Sequence, residues 1–186
     1  MPTSVGHSLL GYILYLIFKK NYKLIENWKT ILFYLFIANA PDLDFIPGIC
    51  IGHANRFHHG ITHTLGFSLF LALILCLVPK LRKKTNFIIF FLLGFTHVIV
   101  DFLGADTTYP FGVMLFWPFT TKYFISSYSV FLDIHKTTLH SLFDLHNLKA
   151  MALEALIFLP VIIVLRFILK RTKQGKGGYF RFMDSW

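Results

Sequence analysis

Nine histidines and nine carboxylates are spread along 186 residues, and a subset recurs at spacings that suit metal ligation. His97 and Asp101 stand four apart in Gly94-Phe-Thr-His-Val-Ile-Val-Asp101, so a helix presents both on one face. An ionisable pair near the end of an apolar helix is costly unless it is paired or metal-bound. Imidazole plus carboxylate is an ordinary ligand set for zinc or manganese. The plainer alternative is a His–Asp hydrogen bond that locks two helices. Asp42 and Asp44 follow Pro41, which ends the preceding helix and lets both carboxylates turn toward a common point. A solvated Pro-Asp turn is the alternative there.

Three histidines fall within six residues in Arg56-Phe-His-His-Gly-Ile-Thr-His-Thr64. The spacing predicts His59 and His63 one helical turn apart, with His58 reaching in from the preceding loop. Thr62 and Thr64 are candidate hydrogen-bond partners behind the ligands. His140 and Asp144 repeat the four-residue spacing in His-Ser-Leu-Phe-Asp. His7, in Gly6-His7-Ser8, is taken alone more often a satisfied packing histidine than a ligand. His53, His135 and His146 read as surface residues or as partners of ligands. Trp117 reads as an interface anchor.

The elements that must position these groups are apolar. Fifty-five per cent of the chain is hydrophobic and 22 residues are Phe. A soluble domain of this size cannot hide that surface, so a bilayer is expected to solvate part of it. Five apolar segments stand out, at about 4–18, 30–40, 61–78, 87–103 and 148–169. The last three approach the roughly 20 residues that span a hydrocarbon core, and the first two are short. Residues 109–131 are aromatic but interrupted by Pro110 and Pro118, which suits an interfacial or re-entrant segment rather than a crossing. Cys50 and Cys76 are too sparse for a disulfide framework. The N-terminal stretch lacks a basic lead and a small-residue cleavage site, so it reads as a retained membrane segment.

Charge orients this arrangement. The net charge is +9, but the basic residues cluster between apolar runs, the pattern of membrane loops rather than of a nucleic-acid surface. Lys19, Lys20, Lys23, Lys29, Lys80, Arg82, Lys83, Lys84 and the basic residues from Arg166 onward fall on one side if the chain crosses five times. The positive-inside rule then puts the N-terminus outside. The same topology sorts all nine histidines, with Asp42, Asp44, Asp101, Asp106, Asp133, Asp144 and Glu154, into or near the outer half. The expected fold is all-α: a multi-pass transmembrane bundle of about five membrane helices with an interfacial segment. One membrane-embedded domain spans 1–170, and a basic cytoplasmic tail spans 171–186.

In order, Gly6-His7, Pro41-Asp-Leu-Asp44, His58-His-Gly-Ile-Thr-His-Thr64, His97-Val-Ile-Val-Asp101 and Pro110-Phe-Gly112 with Trp117-Pro118 resemble the motifs of the YdjM family of membrane-bound metal-dependent hydrolases. The resemblance covers roughly residues 5–119. His59 stands where that family usually has Arg, and Thr64 where it usually has Ser. More distantly, the chain is similar to the zinc-dependent phospholipase C and single-strand nuclease group, whose later His-x-x-x-Asp element corresponds to His140 and Asp144.

The resemblance implies a phosphodiesterase-like or phospholipase-like hydrolase of phosphate esters in the plasma (inner) membrane, its site at the outer face. Phospholipid or polyprenyl-phosphate head groups are the substrate class, and metal-activated water is the nucleophile. Two or three divalent ions are implied, zinc first and manganese second. Their ligands are drawn from Asp42, Asp44, His58, His63, His97 and Asp101, with His7, His140 and Asp144 as outer members. Asp42, His63, His97 and Asp101 are the catalytic set. The competing readings are a non-catalytic metal-binding or transport protein and a His-rich scaffold. The inner halves of the last three segments hold almost no polar residues, which argues against a conduction path.

Overall fold

The structure is a computed structural model that describes residues 1–22, 27–53, 56–81, 84–107, 109–135 and 144–183. Apolar composition without a period of two makes helices of the five segments. They are α1 (Ser4–Tyr22), α2 (Trp28–Ala38), α4 (Leu65–Leu77), α5 (Lys84–Phe102) and α6 (Leu145–Met183), with a short α3 (Phe45–Cys50) between α2 and α4. The described residues contain no strand, only isolated bridges that join Gly104 to Phe131 and Val113 to Phe124.

Local chemistry sets the helix ends. Asn27 caps α2, its side chain accepting from the Thr30 N–H. Pro41 starts a single 3-10 turn, Ala40–Asp44, in place of a further turn of α2. Thr64 caps α4 by accepting from the Phe67 N–H. The helix therefore begins at Leu65 and not at residue 61, where the sequence expectation starts it. Ile61–His63 is instead a 3-10 turn. His59 takes a left-handed backbone, φ 63°. The expected helical turn from His59 to His63 is thus replaced by a loop and a cap.

Helix α5 packs against α4, α2 and α1, and α1 packs in turn against α2 and α6. Tyr15, Leu16, Ile37, Ile89, Phe90 and Leu93 form the buried interior. The Glu154 carboxylate of α6 is buried against Thr3, accepting from its N–H at 2.7 Å and its hydroxyl at 2.5 Å. This bond pins α6 to the start of α1. A side chain at Gly6 would meet Glu154 Oε2 at 2.7 Å, so a larger residue there would displace the carboxylate.

Two helices, Lys84–Phe102 and Leu145–Arg171, are long and apolar enough to cross a membrane. Helices α2 and α4, with 11 and 13 residues, are apolar but shorter. Outward faces stay hydrophobic: Leu69, Phe70 and Leu73 on α4, and Leu156, Ile163 and Phe167 on α6 are exposed. Water does not favour such surfaces and lipid does. Residues 109–131 are irregular, as their prolines predict, and dock by backbone bonds onto the start of α4.

Candidate metal centre

Four places along the chain deliver polar groups to the same end of the bundle. The start of α1 supplies His7, the turn after α2 supplies Asp42 and Asp44, the turn before α4 supplies His63, and the last turns of α5 supply His97 and Asp101. His97 Nε2 lies 3.1 Å from Asp101 and 3.4 Å from Asp42. His63 Nε2 lies 3.4 Å from each of the same two carboxylates. His7 Nε2 lies 3.2 Å from the other Asp101 oxygen, and the His7 and His97 rings stack with centroids 3.6 Å apart. The His63, His97 and Asp101 side chains are wholly buried, while Asp42 is 13 % exposed and forms the open side.

Hydrogen bonds behind the cluster decide which nitrogens face it. His97 Nδ1 donates to the Ala38 carbonyl at 2.7 Å, which leaves Nε2 with its lone pair directed inward. Thr62 Oγ1 donates to Asp44 at 2.6 Å, so it can only accept from His63 Nδ1, 3.1 Å away. Asp44 also lies 3.2 Å from that Nδ1. His63 Nδ1 therefore carries a hydrogen, and His63 Nε2 faces His97 Nε2 at 3.2 Å. Two nitrogen lone pairs at that distance repel unless a proton or a cation sits between them.

Charge bears the same mark. Burial alone would raise the Asp42 carboxyl, but the His97 and His63 imidazoles override it and hold Asp42 well below the usual carboxylate range. Burial likewise opposes ionisation of Asp44, and His58 and His63 hold it low. Burial would lower His63, yet its bonds to Asp42 and Asp44 push it up to about 9.

Five buried polar atoms of this group have no aligned hydrogen bond: both nitrogens of His7, Asp42 Oδ1, and both oxygens of Asp101. Their ion-pair distances are short, but the geometry is that of groups facing a common point rather than one another. Imidazole nitrogens and carboxylate oxygens converging in this way fit a divalent transition ion. Two overlapping triads have donor atoms within 4.8 Å of one another, His7 with Asp42 and His97, and His63 with His97 and Asp101.

Of the remaining expected ligands, His58 forms a further triad of donor atoms with His59 and His63, and Asp44 and Asp144 have other partners. Asp44 acts behind the cluster, holding His63, Thr62 and His58. His58 turns Nδ1 to Asp44 at 2.9 Å and Nε2 to the Met1 sulfur at 3.0 Å. Asp144 caps α6, accepting from the Asn147 N–H, and pairs with His135 at 2.6 Å. His140 lies outside the described residues. Thr62 has its expected supporting role, whereas Thr64 serves the α4 cap. The sequence reading gave no role to Met1 or Asp106, which contact His58 and His59. Asp106 lies five residues past Asp101, outside any recurring spacing.

Residues 1–173 match the family described as YdjM inner membrane protein, and the chain belongs to that family. No curated protein and no solved structure matches it.

Proposed function

We propose, with membership of that inner-membrane family as the premise, that the chain is an integral membrane metal-dependent hydrolase of phosphate esters. Its substrate class is a phospholipid or polyprenyl-phosphate head group. The observation that carries the reading is the meeting of two imidazole nitrogens, 3.2 Å apart, with the carboxylates of Asp42 and Asp101. His7, Asp42, His63, His97 and Asp101 would hold the metal, zinc first and manganese second.

A divalent ion bound there supplies an acidified water and neutralises charge that grows on phosphoryl oxygens. The protein's own groups do the positioning. The Ala38 carbonyl keeps His97 Nε2 turned inward, and Asp44 with Thr62 does the same for His63. Val98, Val113 and Leu115 form a small buried apolar cluster at the last turns of α5. Asp42, the ligand with an open side, marks the approach of a head group. The proposal includes five crossings with the N-terminus outside, as the basic loops favour, which would set this end of the bundle at the outer face.

The test is turnover. The detergent-purified chain, loaded with zinc or manganese, is incubated with a membrane lipid extract, and release of phosphate or phosphorylated head group is followed by phosphorus NMR. The reading predicts release that a chelator abolishes and added metal restores. No turnover with either ion would favour the second reading, a closed non-catalytic metal-binding site. The near-complete burial of His63, His97 and Asp101 is the observation on that side. In that case chelation would lower the melting temperature and change no activity.

A further inference from the structure

At the end of the bundle opposite the His/Asp centre, a cavity of 370 Å³ opens between the first turns of α2 and α5. Lys29, Phe33 and Tyr34 line it from α2, and Leu81, Asn86 and Phe90 line it from the approach to α5 and from α5 itself. Asn86 stands eleven residues before His97 on the same helix. At 1.5 Å per residue that is about 17 Å, so the cavity is separate from the centre. Small-molecule sites run from about 300 to 1,000 Å³, which puts this one at the small end of that range.

Phe33, Leu81 and Phe90 make most of the wall apolar, and the Asn86 amide already donates to the Leu81 carbonyl at 3.0 Å. Tyr34 differs. It is 4 % exposed and packs edge-on against Tyr15, with ring centroids 5.5 Å apart, yet its hydroxyl makes no hydrogen bond among the described residues. Buried hydroxyls are rarely left so, and an occupant of the cavity would supply the acceptor. Lys29, at the rim, is exposed and forms no ion pair among the described residues; its ammonium lies 5.7 Å from the Trp28 ring. Lysine beside an exposed aromatic is the composition of a lipid–water boundary. Lys20, Lys80 and Lys84 are exposed at the same end of the bundle, and no described carboxylate joins them. The start of two helices adds partial positive charge.

We propose that this cavity binds one anionic phospholipid of the bilayer. The phosphate sits at Lys29, a glycerol-ester oxygen accepts from the Tyr34 hydroxyl, and the first carbons of one acyl chain lie on Phe33, Leu81 and Phe90. Basic pockets between membrane helices are a recurrent means of holding acidic lipids. The volume admits only this part of a lipid, and the rest of the chain lies along outward apolar residues such as Leu32 and Phe36 of α2. A neutral or zwitterionic lipid gains nothing from an end of the bundle that carries lysines without carboxylates. The inference does not depend on the hydrolase reading.

The test is native mass spectrometry of the full chain released from detergent, titrated separately with phosphatidylglycerol and with phosphatidylcholine of the same acyl chains. One phosphatidylglycerol is expected to be held about fivefold more tightly than phosphatidylcholine. The preference is expected in zinc-free as in zinc-loaded protein, which separates the cavity from head-group capture at the His/Asp centre. Glycerol 3-phosphate, which has the phosphate but no acyl chain, is expected not to compete. Tyr34→Phe keeps the ring and removes only the hydroxyl, and it is expected to weaken phosphatidylglycerol binding about tenfold. Lys29→Gln is expected to weaken it about fivefold. Attraction by surface lysines alone would respond to the second variant and not to the first. Unchanged circular dichroism shows that both variants are folded. Equal retention of the two lipids, an adduct that needs zinc, displacement by glycerol 3-phosphate, or unchanged retention in folded Tyr34→Phe overturns the proposal.

Discussion

Replacing Asp101 by asparagine leaves the shape of the centre almost unchanged and removes one unit of charge. In Asp101→Asn the lost anion is one that three imidazole nitrogens approach, at 3.1 Å from His97, 3.2 Å from His7 and 3.4 Å from His63. Its side chain is wholly buried, so water cannot take its place. A buried charge left without its partner costs about 3–5 kcal/mol. At about 1.4 kcal/mol per tenfold, zinc affinity should fall by roughly 10²- to 4 × 10³-fold. Asp42→Asn makes the same chemical change at a side chain that is 13 % exposed, and it should cost less. Because both carboxylates share His63 and His97, the double variant should lose less than the sum of the single losses. Competition with a zinc chelator of known affinity, on protein purified in detergent, measures all four forms. Unmodified affinity in Asp101→Asn, or strictly additive losses, would refute the claim that the two carboxylates act on one ion.

Three further outcomes follow from the geometry. His63, pushed up to about 9, must shed a proton to bind metal, whereas Asp42 and Asp44 are held low and stay ionised. Zinc affinity should therefore rise with pH, by at least about tenfold per unit below pH 9, and a flat profile in the same competition assay contradicts the assignment. Gly112 sits at φ 83°, and a side chain there would collide with the Phe124 carbonyl oxygen. Gly112→Ala should lower the melting temperature through about 1–3 kcal/mol of strain, with zinc stoichiometry unchanged by elemental analysis. Asp144 pairs with His135 and the start of α6, so Asp144→Asn should leave bound zinc unchanged, and a loss of metal in that variant would place it in the centre after all.

The parts of the site that local geometry controls were legible in the sequence. The four-residue spacing of His97 and Asp101 puts them on one face of any helix, and the structure pairs them at 3.1 Å. Pro41 had to end α2, and the turn it starts sends Asp42 and Asp44 to opposite nitrogens of His63. The expectation failed where no periodicity constrains the chain. Between α3 and α4 a loop with a left-handed residue replaces the expected helical turn, so His59 leaves the helical register, while His58 approaches His63 from that loop as its position predicts. Thr64 ahead of an apolar run was a readable cap signal that would have moved the start of α4 to its true place. The Thr3–Glu154 bond joins residues 151 positions apart, and the Met1 contacts to His58 and His59 cross more than 50. Only the packing of the helices could bring those groups together.

Elemental analysis of the chain extracted from membranes, beside a His97→Ala/Asp101→Ala variant, tests the central claim most directly. The account predicts zinc or manganese in stoichiometric amount in the unmodified protein and its loss from the variant, with both proteins folded by circular dichroism. Equal metal in the two, or none in either after reconstitution with both ions, would contradict it.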